Sequence, residues 1–285
     1  ASQLLLMGRG KRVFARKVVG RLPPQISKGK GKGMITTETN EQYHANDAIG
    51  STSVKSVALN SVAHWYGTEV KSSPAMAFGS AVHANFLEPE KNLVHRGPET
   101  RRGKAWTELE EGMGPDEILL PVAEYHRAEK AAQALRDNMQ VEEMWSMHAL
   151  WQIERSIYVT CPETNLDLKC KPDGYHEYLN TIIDVKTCQT AAPSAWQSPY
   201  GPFYKYGYHI QMAFYLYVCG IEGIKVDTAK IFAVESNPPH AVQCFDISAD
   251  TLRHGHAIML DTLKLIAEAK SNGEYTTGWP DWVEL

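Results

Sequence analysis

The sequence is poor in cysteine and pairs none of it. Five cysteines, at positions 161, 170, 188, 219 and 244, are an odd number among 285 residues, and no two form a CxxC. That argues against a disulfide framework and against a zinc or iron–sulfur site, with a reducing cytoplasm as the simplest home. Long apolar runs are missing too. Nothing approaches the roughly 18 residues of a membrane span. Leu4-Leu5-Leu6-Met7 is too short for the hydrophobic region of a secretory signal. The body of the chain also lacks basic charge. Of 29 Lys and Arg, nine stand in residues 1–33, which hold no acid, so the remainder carries 20 bases against 33 acids, about -13. A polyanion must then be held by local basic patches or by metal ions. Residues 1–33, rich in Gly and Lys from Lys28 to Gly33, read as a flexible basic arm suited to nucleic acid, or as an expression remnant ahead of a start at Met34. Residues 34–285 read as one domain.

What is present is a change of pattern part-way along the chain. Val54, Val57, Ala58, Val62, Trp65 and Tyr66 follow the helical period behind a cap at Ser51 or Ser53. Pro74 suits the first turn of a second helix through Phe78, Ala81, Val82 and Phe86. Residues 91–118, with four glycines, read as a loop, and 121–148 as helical. Residues 151–159 then alternate, 161–165 turn, 166–175 alternate again, and a turn near Tyr178 to Asn180 leads into a strand over 181–187. These three strands form an antiparallel meander. A helix over 204–220, strands near 225–235 and 241–247 and a helix over 248–271 complete an α/β domain, its mixed central sheet flanked by helices.

Side chains two apart on a strand share a face, so Ile182, Asp184 and Lys186 point one way. Lys169, Lys171 and Asp173 share a face of the preceding strand. A tight meander brings Asp173 beside Asp184, with Glu154 of the first strand in reach. Carboxylates so close repel, and one pKa rises unless a cation neutralises them. All-oxygen donors suit hard Mg²⁺ or Mn²⁺, and the main-chain carbonyl of Val185 adds a ligand. Lys186 is placed to orient or help deprotonate a water there, or to balance charge on a phosphate during phosphodiester attack. A plainer reading also fits these three residues, with Asp184 and Lys186 a solvated strand pair and Asp173 a turn residue.

Pro172 and Asp173, ten further residues, then Asp184, Val185 and Lys186 resemble the signature of the PD-(D/E)xK nuclease superfamily. Gly79 to His83 (GSAVH) is similar to the GxxxH helix of its RecB-like branch, and Gln211 to Tyr215 (QMAFY) to that branch's QxxxY helix. Tyr43-His44, Ile49 to Ser51, Phe78 to His83, Leu87 to Pro89 and Arg101 to Lys104 narrow the likeness. So do Glu154 to Tyr158, Cys170 to Asp173, Asp184 to Thr187 and Tyr208 to Tyr215. Together they resemble the RecE-like exonuclease (exodeoxyribonuclease VIII) family over roughly residues 41–235. The resemblance implies a nuclease domain over 34–285, using Mg²⁺ (or Mn²⁺), with two ions and no iron–sulfur cluster. It implies 5′-to-3′ resection of linear double-stranded DNA, leaving 3′ single strands for a single-strand annealing protein in phage-type recombination. It also implies a homo-oligomeric ring threaded by DNA, which would ease the puzzle of an acidic body. The setting is the cytoplasm of a bacterial or phage-infected cell, with no membrane.

The resemblance assigns catalytic roles to Lys186, Asp184, Asp173, Glu154, Gln211 and Tyr215, and metal ligation to His83, Asp173, Asp184 and Val185. Gln211 and Tyr215 stand one helical turn apart on one face, and Gly79 permits close helix approach. Arg101, Arg102 and Lys104 are candidates for gripping the 5′ phosphate or the displaced strand. Ser51 and Ser53 cap their helix or hold a phosphate at its N-terminus. Trp106 or Tyr208 offers a ring for an unpaired base. Two other functions fit the motifs. One is a RecB-like endonuclease or repair nuclease, against which the missing four-cysteine pattern counts. The other is a non-catalytic DNA-end-binding scaffold, against which the intact Asp173, Asp184 and Lys186 count.

Overall fold

The alternation over 181–187 becomes the central strand of a mixed sheet whose two faces divide the core. The computed structural model describes residues 33–69, 72–146, 148–280 and 282–283. The basic arm, apart from Gly33, lies outside the described residues. The chain begins with β1 (Met34–Thr36), α1 (Asn40–Ala45), α2 (Ser51–Leu59), α3 (Val62–Gly67) and α4 (Pro74–Leu87). Next come β2 (Val94–Arg96), α5 (Lys104–Glu111), β3 (Ile118–Leu120), α6 (Val122–Asp137) and α7 (Met139–Trp145). Strands β4 (Gln152–Ile153), β5 (Ser156–Thr160), β6 (Asp167–Cys170), β7 (Gly174–His176) and β8 (Thr181–Cys188) follow. The chain closes through α8 (Pro193–Gln197), α9 (Pro202–Lys205), α10 (Tyr208–Glu222), β9 (Thr228–Glu235), β10 (Val242–Asp246) and α11 (Ala249–Asn272).

The main sheet runs β10-β9-β8-β7-β4, and only its β8–β9 pair is parallel. A parallel pair needs a long crossover, which α8, α9 and α10 supply. Ile182 of β8 and Ile231 of β9 pack with Ile210, Phe214 and Val218 of α10 and Val54 and Val57 of α2. Ile183, Val185, Phe232 and Val234 face the other way, onto Phe78, Val82 and Phe86 of α4 and Ala128, Ala132 and Leu135 of α6. Each fully buried Ile or Phe contributes about 1.5–3 kcal/mol of transfer free energy, so the sheet is held from both sides. The expected mixed α/β architecture is the one observed. Two caps fix the long helices: Ser73 accepts the Met76 N–H at 3.2 Å ahead of Pro74, and Ser248 accepts that of Thr251 at 3.2 Å. Where α11 crosses α10, a Cβ on Gly255 would stand 2.3 Å from the His209 carbonyl oxygen, so only glycine fits. No helix among the described residues is long and apolar enough to cross a membrane.

Three expectations are corrected. Gly50, not Ser51 or Ser53, is the N-cap of α2, and α2 and α3 are separate helices because Ser61 caps α3 through the His64 N–H. Residues 91–118 are not a loop, since β2 and β3 pair in parallel and Trp106 buries α5 against the core. The meander is also not one sheet. β5 and β6 pair with β1 in a three-stranded sheet, while β4 and β7 join β8. A continued β7 would set Pro172 opposite Val185, and proline has no N–H to give a ladder. Its neighbour strand breaks at the same level, at Glu154, whose φ is +49°. The hairpin therefore bends and passes from one sheet to the next.

Candidate active site

The bend gathers candidate ligands. The Glu154 N–H donates to the Asp173 carbonyl at 3.3 Å, so the two breaks lie side by side. Freed from the ladder, Asp173 turns its carboxylate to β8, where Oδ2 accepts the Val185 N–H at 2.6 Å. The same oxygen lies 3.3 Å from Nδ1 of His83. One ligand atom from each of His83, Glu154 and Asp173 lies within 4.8 Å of the other two. His83 arrives on α4, which reaches β8 closely at Gly79: a Cβ there would stand 3.3 Å from the Thr187 hydroxyl. In a strand the N–H and C=O of one residue leave on one edge, so the Val185 carbonyl faces the same gap as its amide.

The electrostatics of this cluster follow from burial and like charge. Burial, then Asp173, push Glu154 up to about 8, against the opposing Lys171 ammonium 3.3 Å away. Burial also raises Asp173. Asp184 adds to that rise, while His83, Lys186 and the Val185 N–H resist it. Such a cluster gains from a divalent cation, which removes the repulsion that holds protons on the carboxyls. Two carboxylates, an imidazole and a main-chain carbonyl fit that need, and His83, Glu154, Asp173 and Val185 are the residues that would hold it.

Asp184 and Lys186 occupy the α10 face of β8, as strand alternation requires. Asp184 is buried, and Lys186 Nζ pairs with its Oδ2. Burial opposes the ammonium charge, but Asp184 and Asp173 outweigh it and hold Lys186 above its usual value. Lys186 is therefore a charged donor here. Gln211 Nε2 donates to Asp184 Oδ1 at 3.0 Å and to the Tyr215 hydroxyl at 2.9 Å. Burial, then Asp184, raise the Tyr215 phenol well above its usual value, and the neighbouring Ser51 hydroxyl pulls the other way.

Helical periodicity gave no reason to single out Lys55 of α2, yet it belongs to this network. Its Nζ donates to Gln211 Oε1 at 2.7 Å. It stands 5.5 Å from the centroid of the Tyr208 ring, and Lys186 Nζ stands 5.1 Å from the same centroid. The available signal is spacing: Ser51 and Lys55 lie one turn apart, as do Gln211 and Tyr215, which they meet.

The remaining candidates are not drawn into the cluster. Arg101 makes two 2.6 Å bonds to Glu124 and sits 5.9 Å from the Trp106 ring centroid, so a phosphate would have to displace a bidentate carboxylate. Arg102 is exposed, and Lys104, also exposed, pairs with Glu108 at 3.4 Å. Ser53 is half-buried on α2, and Trp106 is core, with no face left for a base.

Residues 54–278 match a family model described as a PDDEXK-like domain of unknown function (DUF3799). The chain belongs to this family. The matched stretch of this PDDEXK-like domain holds the bend, the Asp184–Lys186 pair, His83, Gln211, Tyr215 and Lys55. Its structure is similar to the crystal structure of a protein from Eubacterium rectale described as "Putative exonuclease". The TM-score is 0.59 at 16% identity, with 84% of this chain and 88% of that chain covered, a likeness of fold. A second solved structure aligns at a TM-score of only 0.30 and 11% identity, over 74% of this chain and 84% of that chain, and carries no argument. No curated protein matches the sequence.

Proposed function

We propose that this PDDEXK-like domain is a Mg²⁺- or Mn²⁺-dependent exodeoxyribonuclease that resects linear double-stranded DNA from its 5′ ends. One observation carries the reading: the Asp173–Val185 bond joins the His83, Glu154 and Asp173 cluster to the strand that bears the buried Asp184–Lys186 pair. A bound divalent ion supplies Lewis-acid polarisation of the phosphodiester and a water of lowered pKa.

The chain's own residues do the rest. The Val185 amide holds the Asp173 carboxylate, and Gln211 holds Asp184 through its Oδ1. Lys186, kept charged by Asp184 and Asp173, offsets negative charge that builds on the phosphate as the bond breaks. The motifs that resemble RecE-like enzymes support 5′ polarity and two ions. They also support a homo-oligomeric ring around the DNA and hand-over of the 3′ strand to an annealing protein in phage-type recombination, in a bacterial or phage-infected cytoplasm.

The test is digestion of linear duplex DNA labelled separately at its 5′ and 3′ ends, with Mg²⁺ or with EDTA, beside a closed circle. Mg²⁺-dependent release of the 5′ label with the circle intact is expected. Cutting of the circle would replace the proposal by an endonuclease, and binding without cleavage by a DNA-end scaffold.

A further inference from the structure

We infer that Lys55 is a second phosphate-binding cation of this site, engaging a backbone phosphate of the DNA from the α2 side; the inference rests on the nuclease reading above. The two lysines of the bend and of β8 each have a carboxylate: Glu154 for Lys171, Asp184 for Lys186. Lys55 has none within ion-pair distance among the described residues. Its side-chain partner is the neutral Gln211 carbonyl oxygen, yet it is half-buried. An ammonium carries three donors, and this one commits one of them. Holding a partly desolvated charge against a neutral amide alone is costly, and an arriving phosphate supplies the missing anion.

Burial and then the neighbouring Lys186 pull the Lys55 pKa down to about 8, and Asp184, beyond ion-pair distance, opposes them only in part. Ser51, one turn earlier on the same face, opens α2 behind an N-cap that offers no side-chain acceptor, so the positive helix end adds to the same side. Both ammonium groups stand near one ring, Tyr208, which brings the two cations to one side of the site. Such a contact reads backbone charge and not base identity, so it acts alike on every sequence.

The geometry also gives Lys55 a second task, since its bond fixes the Gln211 amide with the NH₂ toward Asp184. The experiment must separate the two. Single neutral methylphosphonate linkages are scanned from the 5′ end of a short duplex, and affinity of the full chain is measured with Ca²⁺ in place of Mg²⁺. The unaltered protein should lose about tenfold at one linkage. Lys55→Met should already bind unmodified DNA about tenfold more weakly, with its salt slope reduced by about one, and lose nothing further at that linkage.

Lys55→Arg should restore both the affinity and the linkage dependence. If Lys55→Met fails to melt cooperatively, Lys55→Gln takes its place in the scan and should show the same loss of linkage dependence. A full tenfold linkage effect in the neutral variant overturns the inference and leaves Lys55 as a positioning residue for Gln211. An unaltered protein that binds with this coupling but never cleaves sinks the nuclease reading alone. One that cleaves normally and shows no coupling sinks the Lys55 assignment alone, and absence of DNA affinity overturns both.

Discussion

Asp173 accepts the main-chain N–H of Val185 at 2.6 Å, and so stands where β7 would have continued beside β8. A carboxylate that replaces a strand partner is held by the sheet itself. One oxygen serves the amide of Val185 and faces His83, while the residue borders Glu154 through its own carbonyl. The site is thus assembled by an interruption of the ladder and not by a loop laid over it.

Asp173→Asn keeps an acceptor for the Val185 amide but removes the charge. Divalent-ion affinity should fall by at least about tenfold with the fold retained, since ligand and supporting changes at metal sites cost 10–100-fold. Titration calorimetry with Mn²⁺ reads this directly, and unchanged affinity would take Asp173 out of the ligand set.

Lys186→Ala should reduce cleavage by about 10²–10³-fold or more, the scale seen when a transition-state charge donor is lost. It also strips the cation from a buried carboxylate. The metal-free variant should therefore lose about 1–3 kcal/mol, and Mg²⁺ should recover part of it. Melting curves with and without the ion test the second claim, and full activity would defeat the first.

Glu154 is held up at about 8 and Asp173 is raised, in both cases first by burial. At pH 7 the metal-free site keeps protons that a cation must displace, so Mg²⁺ affinity should rise with pH through 8. The linkage has a definite sign. A carboxyl whose folded value lies above its unfolded one binds its proton more tightly in the native state, so its contribution to metal-free stability is full below the ordinary glutamate range and falls as pH climbs toward 8. Calorimetry in buffers of different ionisation enthalpy at pH 7 should show proton release, and none would contradict the argument.

Arg101→Ala should behave as a structural variant. The Arg101–Glu124 pair is bidentate and partly exposed, so its loss should cost about 1 kcal/mol or less. That is a Tm lower by at most about 2–4 °C in a chain of this size, with KM for DNA unchanged. A raised KM without a lower Tm would return Arg101 to the DNA contacts.

Much of the site was legible because it depends on local periodicity. Asp184 and Lys186 share a face in any extended strand, and Gln211 and Tyr215 share one in any helix, whatever surrounds them. The alternation of elements likewise announced a mixed sheet between helices. Three features needed the tertiary structure. The breaks at Glu154 and Pro172 divide one hairpin between two sheets, because β5 finds β1 and β7 finds β8, and no local pattern records which distant edge is open. The partner of Arg101 could not be read locally, because Glu124 lies 23 residues further on. Lys55 was hidden because its partner Gln211 is 156 residues away and is met only where α2 packs on α10. The sequence alone determined which faces carry the candidate residues, since backbone geometry is local; the tertiary structure decided which faces meet, since packing couples residues that the chain keeps far apart.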